Sequence, residues 1–178
     1  NNYYNTFQYY YIAIDPESGS DYAIGGAQDN GTTRAFSGDS HTEILSGDGV
    51  SVGISEDIAG TQYEYVGWQY GNLVRRDYSL PSGWGSPITP SGTGSGLFVT
   101  LFYLDPDNTE NLYYADLGDL YRTNSASTVS SAGWTDMTGV ASAISPDYIR
   151  SFAATRGTYN SSTASLFIGT DEGRVFRL

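Results

Sequence analysis

Carboxylates are the reactive groups this chain has most of. Its 178 residues include twenty Asp and Glu, a single histidine and no cysteine, which leaves paired carboxylates as the plainest route to acid–base catalysis. Glycoside hydrolysis needs such a pair, one protonated to assist the leaving oxygen and one ionised to activate water or attack the sugar, roughly 5 to 10 Å apart. Candidate groups recur beside turn glycines: Asp29 with Asn30, Asp48, Asp116, and Asp171 with Glu172. Two roles are open to them. They can face a ligand, or they can shape tight turns, because Asp and Asn side chains bond local backbone and tolerate unusual dihedral angles. Trp68, Tyr70 and Tyr114 offer rings that stack on sugar faces, although rings at strand positions more often fill a core.

Other chemistries have less support. His41 has no Cys, Glu or Ser at catalytic spacing and reads as a solvent-exposed loop residue, so a Ser-His-Asp site is not indicated. Without thiols there is neither a disulfide framework nor a thiolate metal site. The stretch Asp105-Pro106-Asp107-Asn108-Thr109-Glu110 has oxygen ligands suited to calcium but lacks the glycine and spacing of an EF-hand loop, and reads as a turn. No cofactor and no metal is therefore expected. Asn30-Gly31-Thr32 and Asn160-Ser161-Ser162 match the short N-glycosylation pattern. The formal charge is −12 and all eight basic residues are arginine, so nucleic acid and anionic membranes should be repelled. No segment approaches the roughly 20 apolar residues that span a bilayer, and membrane insertion is not expected.

The elements that must position these residues are announced by a repeat. Tyr22 to Arg34 reads as a short strand, a polar turn closed by glycine, and a second strand. Tyr65 to Arg75, Leu112 to Arg122 and Leu166 to Arg177 restate it, each with a trailing arginine, at the spacing of roughly 40 to 55 residues that four-stranded propeller blades require. No window sustains a helical period, although Ala141 to Pro146 could form one turn. The fold class is all-β, and radial repetition explains a restated turn better than a sandwich does. The blades are expected at about 7–45, 50–90, 97–137 and 148–178. Their inner strands are read at Phe7 to Ile14, Val50 to Ile54, Leu97 to Leu104 and Ile149 to Ala154, and the last blade lacks its outer strand. The repeated arginines Arg34, Arg75, Arg122 and Arg177 read as structural.

Gly25-Gly26-Ala27-Gln28-Asp29-Asn30-Gly31-Thr32, Ser46-Gly47-Asp48-Gly49, Tyr70-Gly71-Asn72-Leu73 and Gly169-Thr170-Asp171-Glu172-Gly173 carry a resemblance. Nearly the whole chain resembles the BNR, or Asp-box, β-propellers of the sialidase, sortilin-like and xyloglucanase-type superfamily, particularly propeller modules of bacterial surface proteins exported by the type IX route. The Asp-box itself is degenerate, reduced to Gly133-Trp134 after an insertion and to Gly83-Trp84. The resemblance implies a ring of six to eight blades, so remaining blades from the same or another chain are expected as partners. It places Asp29, Asn30, Asp48, Tyr70, Asp116, Asp171 and Glu172 on one ligand face. Asp116 is similar, with a one-residue gap, to the turn aspartate that xyloglucanase-type enzymes use as a catalytic carboxylate, and no second such carboxylate can be picked out. The function so implied is a non-catalytic module of a secreted or bacterial cell-surface protein that binds a glycan or protein ligand or serves as scaffold. The alternative is part of a glycoside hydrolase.

Overall fold

The computed structural model describes residues 7–36, 40–81, 83–160 and 162–178. Four antiparallel sheets follow one another along the chain as blades of a β-propeller. The first comprises β1 (Tyr9–Ile14), β2 (Ala23–Ala27), β3 (Gly31–Ala35) and β4 (His41–Leu45). The second comprises β5 (Gly49–Ile54), β6 (Tyr63–Trp68), β7 (Asn72–Asp77) and β8 (Ser86–Pro87). The third comprises β9 (Phe102–Leu104), β10 (Leu112–Asp116), β11 (Asp119–Thr123) and β12 (Thr135–Asp136). After a single helical turn, α1 (Val140–Ile144), the fourth comprises β13 (Ile149–Ala154), β14 (Leu166–Thr170) and β15 (Val175–Arg177). Each sheet runs in sequence order, and among the described residues the fourth has three strands where the others have four.

One expected strand needs correction. The inner strand of the third blade does not begin at Leu97 but at Phe102. The preceding residues are spent elsewhere: Thr100 bonds back to the Leu97 carbonyl at 2.8 Å, and the Phe98 and Thr100 carbonyls accept bonds from Tyr70 N–H and Ser51 Oγ in the second blade. Groups committed across a blade boundary cannot also join their own ladder. His41 is corrected too. It is exposed as expected, but it opens β4 opposite Ala35 instead of lying in a loop.

The core lies between blades. One buried apolar cluster joins blades one and two through Tyr22, Ile24, Ile44, Ile54, Val66 and Val74. A second joins blades two and three through Tyr65, Leu73, Ile88, Leu112 and Tyr114. The third joins blades three and four through Leu120, Ile144, Ile149, Leu166 and Ile168. Two glycines let the first pair of blades touch backbone to backbone. A Cβ on Gly26 would lie 2.1 Å from the Val50 carbonyl oxygen, and one on Gly49 would lie 2.2 Å from that of Gly31.

Two of the four repeated arginines, Arg34 and Arg75, fasten neighbouring blades. Arg34 donates to the carbonyls of Tyr78, Leu80 and Pro81 at 3.3, 3.0 and 2.6 Å. Arg75 donates to those of Ala126 and Val129 at 3.0 and 2.8 Å. A guanidinium suits this task because its donors are fixed in a planar fork. Between blades one and two, Glu64 is fully buried, receiving Arg76 Nη1 at 2.5 Å and the Tyr22 hydroxyl, with Arg34 3.8 Å away. Burial pushes its carboxyl up to about 7, an effect that the Arg76 charge opposes without cancelling.

Candidate functional site

Antiparallel pairing brings the start of each first strand, the end of the second and the start of the third to one edge. Gly49 pairs with Trp68 and Trp68 with Asn72 in the second blade, and Tyr9 with Ala27 and Ala27 with Gly31 in the first. The turns holding Asp29, Asn30, Tyr70, Asp116, Asp171 and Glu172 all lie at this edge, together with Asp48 in the link from β4 to β5. The candidate carboxylates therefore occupy equivalent edges of successive blades.

Most of them are engaged with backbone. Tyr148 N–H donates to Asp171 Oδ1 at 2.8 Å, and Asp171 N–H returns a bond to the Tyr148 carbonyl at 3.1 Å. In the second blade Gln69 takes the same part: Asp48 N–H donates to its Oε1 at 3.0 Å, and its own N–H donates to the Asp48 carbonyl at 3.2 Å. Gly94 N–H donates to Asp116 Oδ2 at 2.7 Å. In each case the turn latches the segment that enters its blade. The same segments are also held by the preceding turn, through Gly31 N–H to the Gly47 carbonyl, Tyr70 N–H to Phe98, and Ile149 N–H to Leu117, at 2.8, 3.2 and 2.9 Å. Asp48 adds an acceptor of its own, taking Asp29 N–H at 2.8 Å.

Asp116 differs from the others in being buried, with Oδ1 lacking a hydrogen-bond partner among the described residues. Its nearest acidic company includes Asp119, whose carboxyl is raised by burial and then by the charges of Asp136 and Asp116. Among the described residues no group of three or more His, Asp or Glu is placed to hold a metal ion. The segment 105–110 is a turn: Asp105 Oδ1 accepts Asp107 N–H at 2.9 Å, and Asp107 pairs with Arg156 at 2.8 Å. Those bonds from Arg156, then the Gly157 N–H, hold the Asp107 carboxyl down to about 2.

The three rings singled out in the sequence part company. Tyr114 is buried and donates its hydroxyl to the Gly71 carbonyl at 2.6 Å. Trp68 is half-buried, edge-on to Trp84 at 4.8 Å between ring centres. Tyr70 is not in the core but 55 % exposed on its turn, edge-on to Phe98 at 5.4 Å. It sits there at φ 63°, and Leu117 in the next blade's turn sits at φ 58°, the left-handed region that bulky residues avoid. Phe98, Leu117 and Tyr148 are exposed as well. The latches place Phe98 beside Tyr70 and Tyr148 beside Leu117, so an aromatic and apolar band runs along the turn edge of blades two to four.

Sequence reasoning missed Gln69, Phe98, Leu117 and Tyr148. Gln69 was within reach, since Asp29, Gln69, Asp116 and Asp171 each stand two residues before the turn glycine of their repeat. Two hollows lie among the described residues. One of about 430 Å³ is lined by Asp29, Asn30, His41, Glu43 and Phe7. The other, of about 370 Å³, lies among the inner strands of all four blades, between Tyr11, Val52, Leu101, Tyr103, Ser151 and Phe152.

Fold and turn edge together define a β-propeller chain whose polar turn residues latch its blades and whose exposed Tyr70, Phe98 and Tyr148 share one edge. It matches no protein-family model and no curated protein.

Proposed function

We propose that this chain is a non-catalytic β-propeller module of a secreted or cell-surface protein, and that it binds glycan through its turn edge. The observation that carries this reading is the Tyr70–Phe98 pair, exposed and held on a turn in a backbone conformation that a tyrosine adopts at a cost of roughly 1 to 3 kcal/mol. A bulky ring kept outside at such a cost points to a contact surface. The glycoside hydrolase reading fits less well, because the Asp116 carboxylate is buried and gives one oxygen to the Gly94 amide.

A panel of plant, algal and animal oligosaccharides, read by saturation-transfer NMR, tests the proposal. Binding is expected to weaken roughly 3- to 10-fold for each of Tyr70→Ala and Phe98→Ala, while Tyr159→Ala, exposed in another loop, leaves it unchanged. Sugar binding indifferent to both aromatic changes would overturn it. So would release of reducing sugar by the wild-type chain that disappears in Asp116→Asn.

A further inference from the structure

The exposed rings Tyr70 and Tyr148 are each held next to a carboxylate that keeps one oxygen open. In the second blade Asp48 and Gln69, the residue before Tyr70, bond each other in both directions at 3.0 and 3.2 Å. Oδ1 of Asp48 takes the Asp29 amide at 2.8 Å, and among the described residues no donor reaches its Oδ2. In the fourth blade Tyr148 N–H occupies Oδ1 of Asp171 at 2.8 Å, and Oδ2 again has no donor among the described residues. Glu172 follows, exposed on the same turn. The strands that flank these turns and links are all described, β4 to β7 on one side and β13 to β15 on the other.

Charge along this edge has one sign. Asp29, Asp48, Asp119, Asp171 and Glu172 all stand there, and none of the five is buried. Of the eight arginines, Arg174 is the one placed in a turn of this edge, and Asp147 takes its guanidinium at 2.6 Å. Arg150 lies on the inner strand β13, near Tyr11 of the first blade. A surface of this kind repels an anionic ligand and draws a cationic one. Uronates, sialic acids and sulfated sugars are therefore disfavoured, whereas a ligand carrying ammonium groups meets oxygens that no protein donor has taken.

Taking glycan binding at the turn edge as its basis, we infer that the ligand class is a cationic glycan, an oligomer of amino sugars with free amines. Its sugar faces lie on Tyr70, Phe98 and Tyr148, and its ammonium groups meet Oδ2 of Asp48, Oδ2 of Asp171 and the Glu172 carboxylate. Charge-assisted bonds of this type are stronger than those a neutral hydroxyl makes, and an ammonium held over a ring gains from the ring's negative face as well. The latch sets ring beside carboxylate in both blades, so a ligand that repeats an apolar face and an ammonium engages the two places at once, and the second contact forms at high effective concentration.

The test compares three tetramers, of glucosamine, of N-acetylglucosamine and of galacturonic acid, titrated into the 178-residue chain by calorimetry at about pH 5.5, where carboxylates are ionised and amines protonated. In about 0.1 M salt the free-amine tetramer is expected to bind roughly tenfold more tightly than the acetylated one, and the galacturonate tetramer not at all. In about 1 M salt, where charges are screened beyond about 3 Å, that preference should fall below about threefold. Asp171→Asn, which keeps an oxygen for the Tyr148 amide, combined with Glu172→Gln should reduce the preference at least threefold. Glu56→Gln removes the same charge from the exposed β5–β6 link at the opposite edge, about 20 Å along a six-residue strand, and should leave the preference intact. Equal affinity for the amine and acetylated tetramers, tighter binding of galacturonate, or a preference untouched by salt or by the double change would overturn the inference and leave glycan binding standing. An oligolysine peptide that binds as tightly as the amine tetramer would overturn it in favour of a basic-peptide site. Failure of all three tetramers to bind would overturn the glycan reading itself.

Discussion

Replacing Arg75 by methionine tests whether its guanidinium fastens the second blade to the third. The substitution keeps most of the side chain's apolar length and removes the two bonds from Nη1 to the Ala126 and Val129 carbonyls, at 3.0 and 2.8 Å. Hydrogen bonds from a charged donor contribute roughly 1.5 to 3 kcal/mol each, and taking the lower figure twice gives a loss of about 3 kcal/mol. For a chain of this length 1 kcal/mol moves Tm by roughly 2 to 4 °C, so a fall of about 6 to 12 °C is expected. Arg177 stands at the same place in the repeat, but among the described residues its side chain has one bond, to Ser165 Oγ at 2.8 Å within its own blade. The same lower figure then gives about 1.5 kcal/mol for Arg177→Met, half the loss. Urea denaturation with calorimetry on both variants measures the difference. Equal losses, or a loss below about 1 kcal/mol for Arg75→Met, would show that the guanidinium does not clamp the blades.

Two further outcomes follow from the first blade interface. Gly26→Ala should destabilise by more than about 2 kcal/mol, because its Cβ would meet the Val50 backbone at 2.1 Å; Gly60→Ala, with nothing within 4 Å but φ at +88°, should cost about 1 kcal/mol, and denaturation midpoints with no such difference would contradict the close approach. Glu64 has its carboxyl raised from 4.5 to about 7 by burial, so the folded chain holds a proton that the unfolded chain has released. Its contribution is complete below about pH 4.5 and falls as pH rises through 7, by up to roughly 3 kcal/mol; the stability profile of Glu64→Gln should lack that decline.

Much of the architecture was legible because one turn is written four times. A strand, a polar pair, a glycine and an arginine constrain both ladder and spacing, and strands such as β6 and β10 fall where that pattern puts them. What failed had competing partners. Leu97 to Leu101 has the composition of a strand, yet its Phe98 and Thr100 carbonyls are taken by Tyr70 and Ser51 of the neighbouring blade, a non-local preference that no window of sequence contains. Tyr70 was open to both a core and a ligand-face reading for the same reason: its turn and its exposure are set by φ 63° and by Phe98, twenty-eight residues on. At the site, the turn carboxylates could be listed from their spacing but not assigned. Whether an aspartate oxygen faces a ligand or a backbone amide depends on where the incoming segment passes, and Asp116 and Asp171 each meet one such amide.

The order of the blades also fixes how the chain comes apart. Stability in a repeat array is approximately a sum of unit and nearest-neighbour terms, so loss of structure spreads inward from a unit with few neighbours. Among the described residues the fourth blade has three strands, and its buried apolar residues cluster with those of the third blade. Opening of β13, β14 and β15 leaves the clusters at the first two interfaces whole. Amide protection should thus form a gradient, lowest in the fourth blade and highest around Tyr65 and Val66, and limited proteolysis should begin beside the exposed Tyr159.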